Sequence, residues 1–140
     1  MLILVRKRMG NMSVASLVLL AAIGLAGALG AVARYLLGRY VAERSASSFP
    51  LGTLIINITG AFLIGLIFAL ATRKLISPTL QATLATGFMG GFTTFSTMSW
   101  EGMQLARAGR SLHSLFYLGI TFALGLSAVL LGLVLGRAIS

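Results

Sequence analysis

The segment from Gly87 to Glu101, with the sequence GFMGGFTTFSTMSWE, places glycines and hydroxyl side chains inside a long apolar region. Each glycine costs a helix about 1 kcal/mol relative to alanine, so this segment predicts an interruption of a membrane helix. Backbone groups freed at membrane depth have no lipid partner, and they persist only where they are buried in protein or line a polar path. The segment therefore indicates a site for a small polar species, with an ion as the favoured candidate.

The composition identifies a membrane as the setting of the chain. Hydrophobic residues make up 58% of it and charged residues 9%, whereas about a quarter of a soluble domain is charged. The basic residues lie at the ends of apolar runs, which is typical of loops that flank membrane spans and argues against nucleic-acid binding. The absence of cysteine excludes thiolate chemistry, and a single histidine with two carboxylates leaves little for catalysis, so we do not expect an enzyme.

Four apolar segments are long enough to cross about 30 Å of hydrocarbon. They predict an all-α integral membrane protein with spans at about residues 14–37, 51–71, 78–106 and 115–135, the third of them broken at its Gly/Thr-rich part. The connections are short, so residues 1–140 are expected to form a single four-helix, multi-pass domain in the cell membrane. The basic start followed by an apolar run is interpreted as a retained first span rather than a signal peptide.

Four spans bring both termini to one side of the membrane, and the basic residues are shared almost evenly between the two sides. The side of the termini has Arg6, Lys7, Arg8, Arg73, Lys74 and Arg137, and the other side has Arg39, Arg44, Arg107 and Arg110. This weak bias leaves two interpretations open. Either the chain inserts in both orientations and pairs as an antiparallel dimer, or the N-terminal basic residues fix one orientation.

Two polar residues within the first two spans need an explanation. Asn57 offers two N–H donors and one acceptor in the second span. It either forms an interhelical hydrogen bond that holds the bundle together or donates to a passing anion. Arg34 lies near the end of the first span, where it either extends to the interface as an anchor or attracts anions to a vestibule.

The interrupted third span suggests a role for each end of the break. Thr93 or Thr94 is the expected N-cap of the helix that follows, and the positive end of that helix would stabilise an anion. Carbonyl groups released before the break would suit a cation. The ring edge of Phe95 carries positive potential and is expected to face an anion.

Glu101 is the one acid near a span, and it lies one helical turn after Thr97 on the same face. Its expected partners are Arg107, Arg34 or the neighbouring hydroxyl groups. Tyr117 and Trp100, in contrast, fit an aromatic belt at the membrane interface.

Three motifs together resemble the small fluoride channels of the Fluc or CrcB family. They are Gly30-x-x-x-Arg34 in the first span, Pro50-Leu51-Gly52-Thr53-Leu54 with Asn57 and Gly60 in the second, and the segment from Gly87 to Thr97 with Glu101 in the third. The match extends over nearly the whole chain. One departure is Met98, which occupies a position where the family often has a second phenylalanine.

The resemblance implies a passive channel that exports fluoride from the cytoplasm through two pores in an antiparallel, dual-topology homodimer within the lipid bilayer. It further implies a structural Na⁺ ion at the dimer centre, bound by the backbone carbonyls of Gly90 and Thr93. The implied fluoride pore involves Asn57, Phe95, Met98, Ser96, Thr97, Ser99, Glu101 and Arg34.

Two other functions remain open on the sequence. A small dual-topology exporter of cationic drugs fits the size and charge bias equally well, but it needs a carboxylate in the core of the bundle, and the first two spans contain none. A membrane subunit without transport activity would use its polar residues only to hold helices together.

Overall fold

The regular structure of the chain is helical throughout the described residues. The computed structural model describes residues 13–45 and 47–139. Four of its helices are α1 (Val14–Arg44), α2 (Leu51–Thr72), α4 (Phe95–Arg107) and α5 (Ser111–Ala138). The helix between α2 and α4 is α3, residues 78–92. The predicted N-terminal basic group Arg6, Lys7 and Arg8 lies outside the described residues.

Helix α3 changes its winding along its length. It consists of the α-helical turn Pro78–Gln81, the π-helix Ala82–Met89 and the α-helical turn Gly90–Phe92. Ser77 caps its start by accepting a hydrogen bond from the Leu80 amide at 3.2 Å. Thr93 and Thr94 then adopt extended backbone angles, and α4 begins at Phe95. The segment predicted as a third span is therefore divided between α3 and α4.

Three helices, α1, α2 and α5, are long and apolar enough to cross a membrane. Two of them are longer than the predicted spans, because α1 continues to Arg44 and α5 begins at Ser111. In α1 the extension is stabilised by an ion pair between Arg39 and Glu43 at 2.7 Å and by the Arg44 guanidinium stacked 3.9 Å from the centre of the Tyr40 ring. Hydropathy detects the lipid-facing part of a helix, and polar turns beyond it escape detection.

Glycines allow the helices to approach one another closely. Helix α1 packs on α3, and a Cβ atom added at Gly30 or Gly91 would collide with a backbone carbonyl of the other helix. The largest interface joins α2 to α5, where Gly65 and Gly132 make equally close approaches. Small residues at such crossings let backbones pack directly against each other. Two of the α3 glycines that the sequence marks as helix breakers, Gly87 and Gly91, therefore also serve close packing against α1.

We expect Gly91→Ala to destabilise the folded protein, because its methyl group would overlap the Gly27 carbonyl of α1. Overpacking of this kind costs about 1–3 kcal/mol. The matched control is Gly24→Ala in α1, where an added Cβ meets nothing within 4 Å. Thermal unfolding of the purified protein in detergent measures the difference in stability. Equal unfolding midpoints for the two variants would contradict the close packing of α3 on α1 at Gly91.

Candidate ion site at the interrupted helix

The side chain of Asn57 bridges the interruption between α3 and α4. Its Oδ1 accepts a hydrogen bond from the Thr94 amide at 2.8 Å, and its Nδ2 donates to the Thr94 carbonyl at 3.2 Å. The Thr94 amide therefore donates to Asn57 in place of the Gly90 carbonyl, its partner in an uninterrupted α-helix. Of the two predicted roles for Asn57, the interhelical hydrogen bond is confirmed, and one N–H of Nδ2 remains for another acceptor.

The two threonines of the interruption hold the helix ends on either side. The amide and Oγ1 of Thr93 both donate to the Met89 carbonyl, at 2.9 and 3.0 Å. Thr94 is the N-cap of α4, and its Oγ1 accepts from the Thr97 amide at 3.1 Å. The same hydroxyl donates to Thr97 Oγ1 at 3.0 Å. Hydroxyl groups thus replace part of the backbone hydrogen bonding that the interruption removes.

Arg34 of α1 binds a backbone carbonyl at the end of α3. Its Nε donates to the Gly91 carbonyl at 3.0 Å, and the side chain is half-buried. Arg34 also lines an open groove together with Thr53, Thr94 and Thr97, so its charge lies beside the polar residues of the interruption.

Glu101 is held by hydroxyl groups from two neighbouring helices. Its Oε1 accepts from Thr53 Oγ1 at 2.9 Å, and its Oε2 accepts from the Tyr117 hydroxyl at 2.7 Å. Of the predicted partners, Arg107 and Arg34 make no ion pair with it within the described ranges. The prediction of Tyr117 as an interfacial residue is wrong, since its side chain is 0% exposed and its ring contacts Phe49 edge-on.

The sequence placed Thr53 only in the second-span motif and Tyr117 only at the membrane interface, so their contacts with Glu101 were not predicted. Thr53 lies one helical turn before Asn57 on the same face of α2, and this spacing was a usable signal. No comparable signal marks Tyr117, because its contact with Glu101 depends on how α4 packs on α5. That packing includes a hydrogen bond from Ser114 Oγ to the Gly102 carbonyl at 2.7 Å.

Several other predicted site residues face outward or bond within their own helix. Phe95 is 78% exposed, and Ser96 and Gly90 are exposed as well. The Ser99 hydroxyl donates to the Phe95 carbonyl at 2.9 Å, and Met98 is half-buried. The interruption thus has a buried polar side, facing α2, and an open side that carries Phe95.

Comparison with known proteins identifies a family. A family model described as CrcB-like protein, Camphor Resistance (CrcB), matches residues 21–133. The chain belongs to this family. A relative from Aquifex aeolicus is 44% identical over 119 residues, and one from Acidobacterium capsulatum is 43% identical over 118 residues. Each match covers 84% of this chain, together with 96% and 94% of the respective relatives.

A third relative, from Leifsonia xyli subsp. xyli, is 47% identical over 116 residues, or 82% of this chain and 84% of the relative. It is named Fluoride-specific ion channel FluC 1, and the other two are named Fluoride-specific ion channel FluC. Membership of this family, together with three helices able to cross a membrane, makes the chain a multi-pass membrane protein.

We expect Asn57→Ala to destabilise the protein, because it leaves the amide and carbonyl of Thr94 without their partner. Each unsatisfied buried group costs about 1–3 kcal/mol. Thr59→Ala is the matched control, since Thr59 is an exposed polar residue of the same helix. An unfolding midpoint for Asn57→Ala equal to that of Thr59→Ala would show that the bridge contributes nothing to stability.

Proposed function

We propose that this protein is a fluoride-selective passive channel that exports fluoride from the cytoplasm and has no enzymatic activity. The observation that carries the proposal is family membership, with relatives of 43–47% identity that are named as fluoride-specific ion channels. The hydrogen bonding at the interrupted helix adds independent support, because it brings polar donors to one place in an otherwise apolar bundle.

Fluoride is small and strongly hydrated, so a pore must replace the hydrogen bonds that the ion loses on leaving water. The free N–H of Asn57 Nδ2 and the terminal guanidinium N–H groups of Arg34 are suitable donors beside the interruption. The positive end of the α4 dipole lies at the same place. The remaining residues that we propose to line the path are Phe95, Ser96, Thr97, Met98, Ser99 and Glu101.

We further propose that α3 and α4 together form the third of four membrane crossings in a single domain, and that two copies pair in opposite orientations. The 78% exposure of Phe95 supports a partner at that surface, since an aromatic ring next to an opened polar helix is poorly suited to lipid. The near-even distribution of basic residues supports pairing of oppositely oriented copies.

A structural Na⁺ ion fits the chemistry of the interruption. Hard cations prefer oxygen ligands, and backbone carbonyls are among them. The Thr94 amide, which would donate to the Gly90 carbonyl in an α-helix, donates to Asn57 instead. The Thr97 amide, which would donate to the Thr93 carbonyl, donates to Thr94 Oγ1 instead. We propose that the carbonyls of Gly90 and Thr93, one set from each copy, bind Na⁺ at the dimer centre, where the ion would neutralise carbonyl dipoles and link the two chains.

A proton-coupled exporter of cationic drugs is less well supported. Such a protein needs a carboxylate that exchanges protons and cations within the bundle. Glu101 is already bound by two hydroxyl groups, and the other acid, Glu43, is paired with Arg39 near the end of α1.

We expect liposomes containing the purified protein to release fluoride rapidly down its own gradient, with little release of chloride, as read by ion-selective electrodes. Phe95→Leu should lower the fluoride rate at least several-fold, because it removes a ring edge of positive potential. Phe122→Leu is the matched control, since Phe122 is 69% exposed on α5 and lies outside the proposed path. Equal fluoride rates for both variants would contradict the assignment of Phe95 to the pore. Absence of fluoride release from folded wild-type protein would contradict the proposed function itself.

Replacing Na⁺ with N-methylglucamine should lower both fluoride flux and the stability of the dimer, because the carbonyls of Gly90 and Thr93 would lose their counter-charge. Light scattering coupled to size-exclusion chromatography reports the dimer without reference to activity. Titration with Na⁺, with K⁺ as the control ion, should restore the dimer at lower Na⁺ than K⁺ concentration. Indifference of the dimer to both ions would argue against a structural cation.

A further inference from the structure

We propose that Arg110, together with Ser48, forms an anion-capture site near the C-terminal end of α4, on the side of that helix that carries Thr97, Glu101 and Gln104. The ligand class is a small hydrated anion, which would bind there before it enters the bundle. This inference rests on the proposed function, because it assigns an entry point to the same anion path.

The backbone and side chain of Arg110 are both held in place. Its amide donates to the Leu105 carbonyl at 3.0 Å, and its own carbonyl accepts from the Ser114 amide at 3.0 Å. Its Nη1 donates to Ser48 Oγ at 2.6 Å. Arg110 thereby ties the connection between α4 and α5 to the connection between α1 and α2. A guanidinium fixed in this way keeps its charge at a defined position on the surface.

Ser48, the acceptor in this contact, lines a groove that leads to Glu101, so the Arg110 guanidinium lies next to a lining residue of that groove. The groove has a volume of about 350 Å³, and its lining includes Ser48, Pro50, Trp100, Glu101 and Gln104. A second groove, between the end of α1 and the start of α2, also reaches Glu101, beside Thr53. The carboxylate therefore lies where two openings of the described structure meet.

The first groove continues the polar face that starts at the interruption. Thr97, Glu101 and Gln104 follow one another at intervals of four and three residues, so they share one face of α4, and the C-cap residue Ala108 lies one turn beyond Gln104. Thr97 bonds to the N-cap Thr94, and Gln104 and Ala108 line the groove. One helix face thus connects the proposed pore residues with the surface near Arg110.

The negative charge of Glu101 on this face would repel an approaching anion, and the positive charge of Arg110 would offset that repulsion. Glu101 carries hydroxyl partners only, so an approaching anion meets a carboxylate whose charge has no basic partner among the described residues. Arg110 has no carboxylate partner within the same ranges. Ser48 accepts from Arg110, which leaves its own O–H to donate to an anion, together with the unused guanidinium N–H groups. The arginine would raise the local anion concentration where the glutamate lowers it.

The test is fluoride efflux from liposomes of neutral lipid at subsaturating fluoride, with Na⁺ held constant. A unit charge about 4 Å away in water changes the local anion concentration about fivefold, so we expect Arg110→Gln to lower the rate by about that factor at low ionic strength. The loss should shrink when an impermeant salt screens the charge. Arg110→Lys keeps the charge and should retain most of the rate, whereas Ser48→Ala removes one donor to the anion and should lower the rate by less than Arg110→Gln does.

Arg107→Gln is the matched control, because it removes an exposed basic residue from the end of the same helix. If Arg110→Gln fails to fold, Ser48→Glu provides the second test, since a carboxylate beside the intact arginine neutralises its charge and should lower the rate in the same salt-dependent way. Equal rates for Arg110→Gln and Arg107→Gln would overturn the proposal. So would a salt-independent loss shared by Ser48→Ala, which would indicate a purely structural contact. Absence of fluoride efflux from the wild-type protein would instead contradict the proposed function.

Discussion

The paired hydrogen bonds between Asn57 and the backbone of Thr94 are the interaction on which the interrupted helix depends. An opened helix inside an apolar bundle exposes amide and carbonyl groups that lipid cannot satisfy. The Asn57 amide supplies both a donor and an acceptor, and it does so from α2, a separate helix. The interruption is therefore a tertiary feature, held in place by helix packing.

The sequence predicts the helical elements well because lipid imposes a simple requirement of length and apolarity. It predicts their ends less well, since α1 continues to Arg44 on an ion pair and an aromatic contact that hydropathy does not register. It also misjudges Gly91, because helix propensity describes an isolated helix, whereas this glycine admits the backbone of α1. Local patterns thus locate the interruption without revealing what surrounds it.

The environment of Glu101 could not be read from the sequence for a related reason. The sequence offered Arg107, Arg34 or the neighbouring hydroxyl groups of the same segment as partners, whereas the folded chain provides the hydroxyl groups of Thr53 and Tyr117 from two other helices. Hydroxyl donors stabilise a carboxylate while leaving its net charge in place. An arginine partner would have cancelled that charge. The side chains around the interruption therefore keep separate positive and negative positions, with Arg34 on the Gly91 carbonyl and Glu101 beyond it on α4.

The π-helical winding of Ala82–Met89 changes the direction in which the later residues of α3 face around the helix axis. In an α-helix each residue advances the side-chain direction by about 100°. A π-helix accommodates an additional residue within the same stretch, so it shifts the angular position of later residues. Loss of one residue from this stretch would turn Gly91 away from α1 and Thr94 away from Asn57 together. The length of α3 is consequently as strictly constrained as the identity of any single side chain at the interruption.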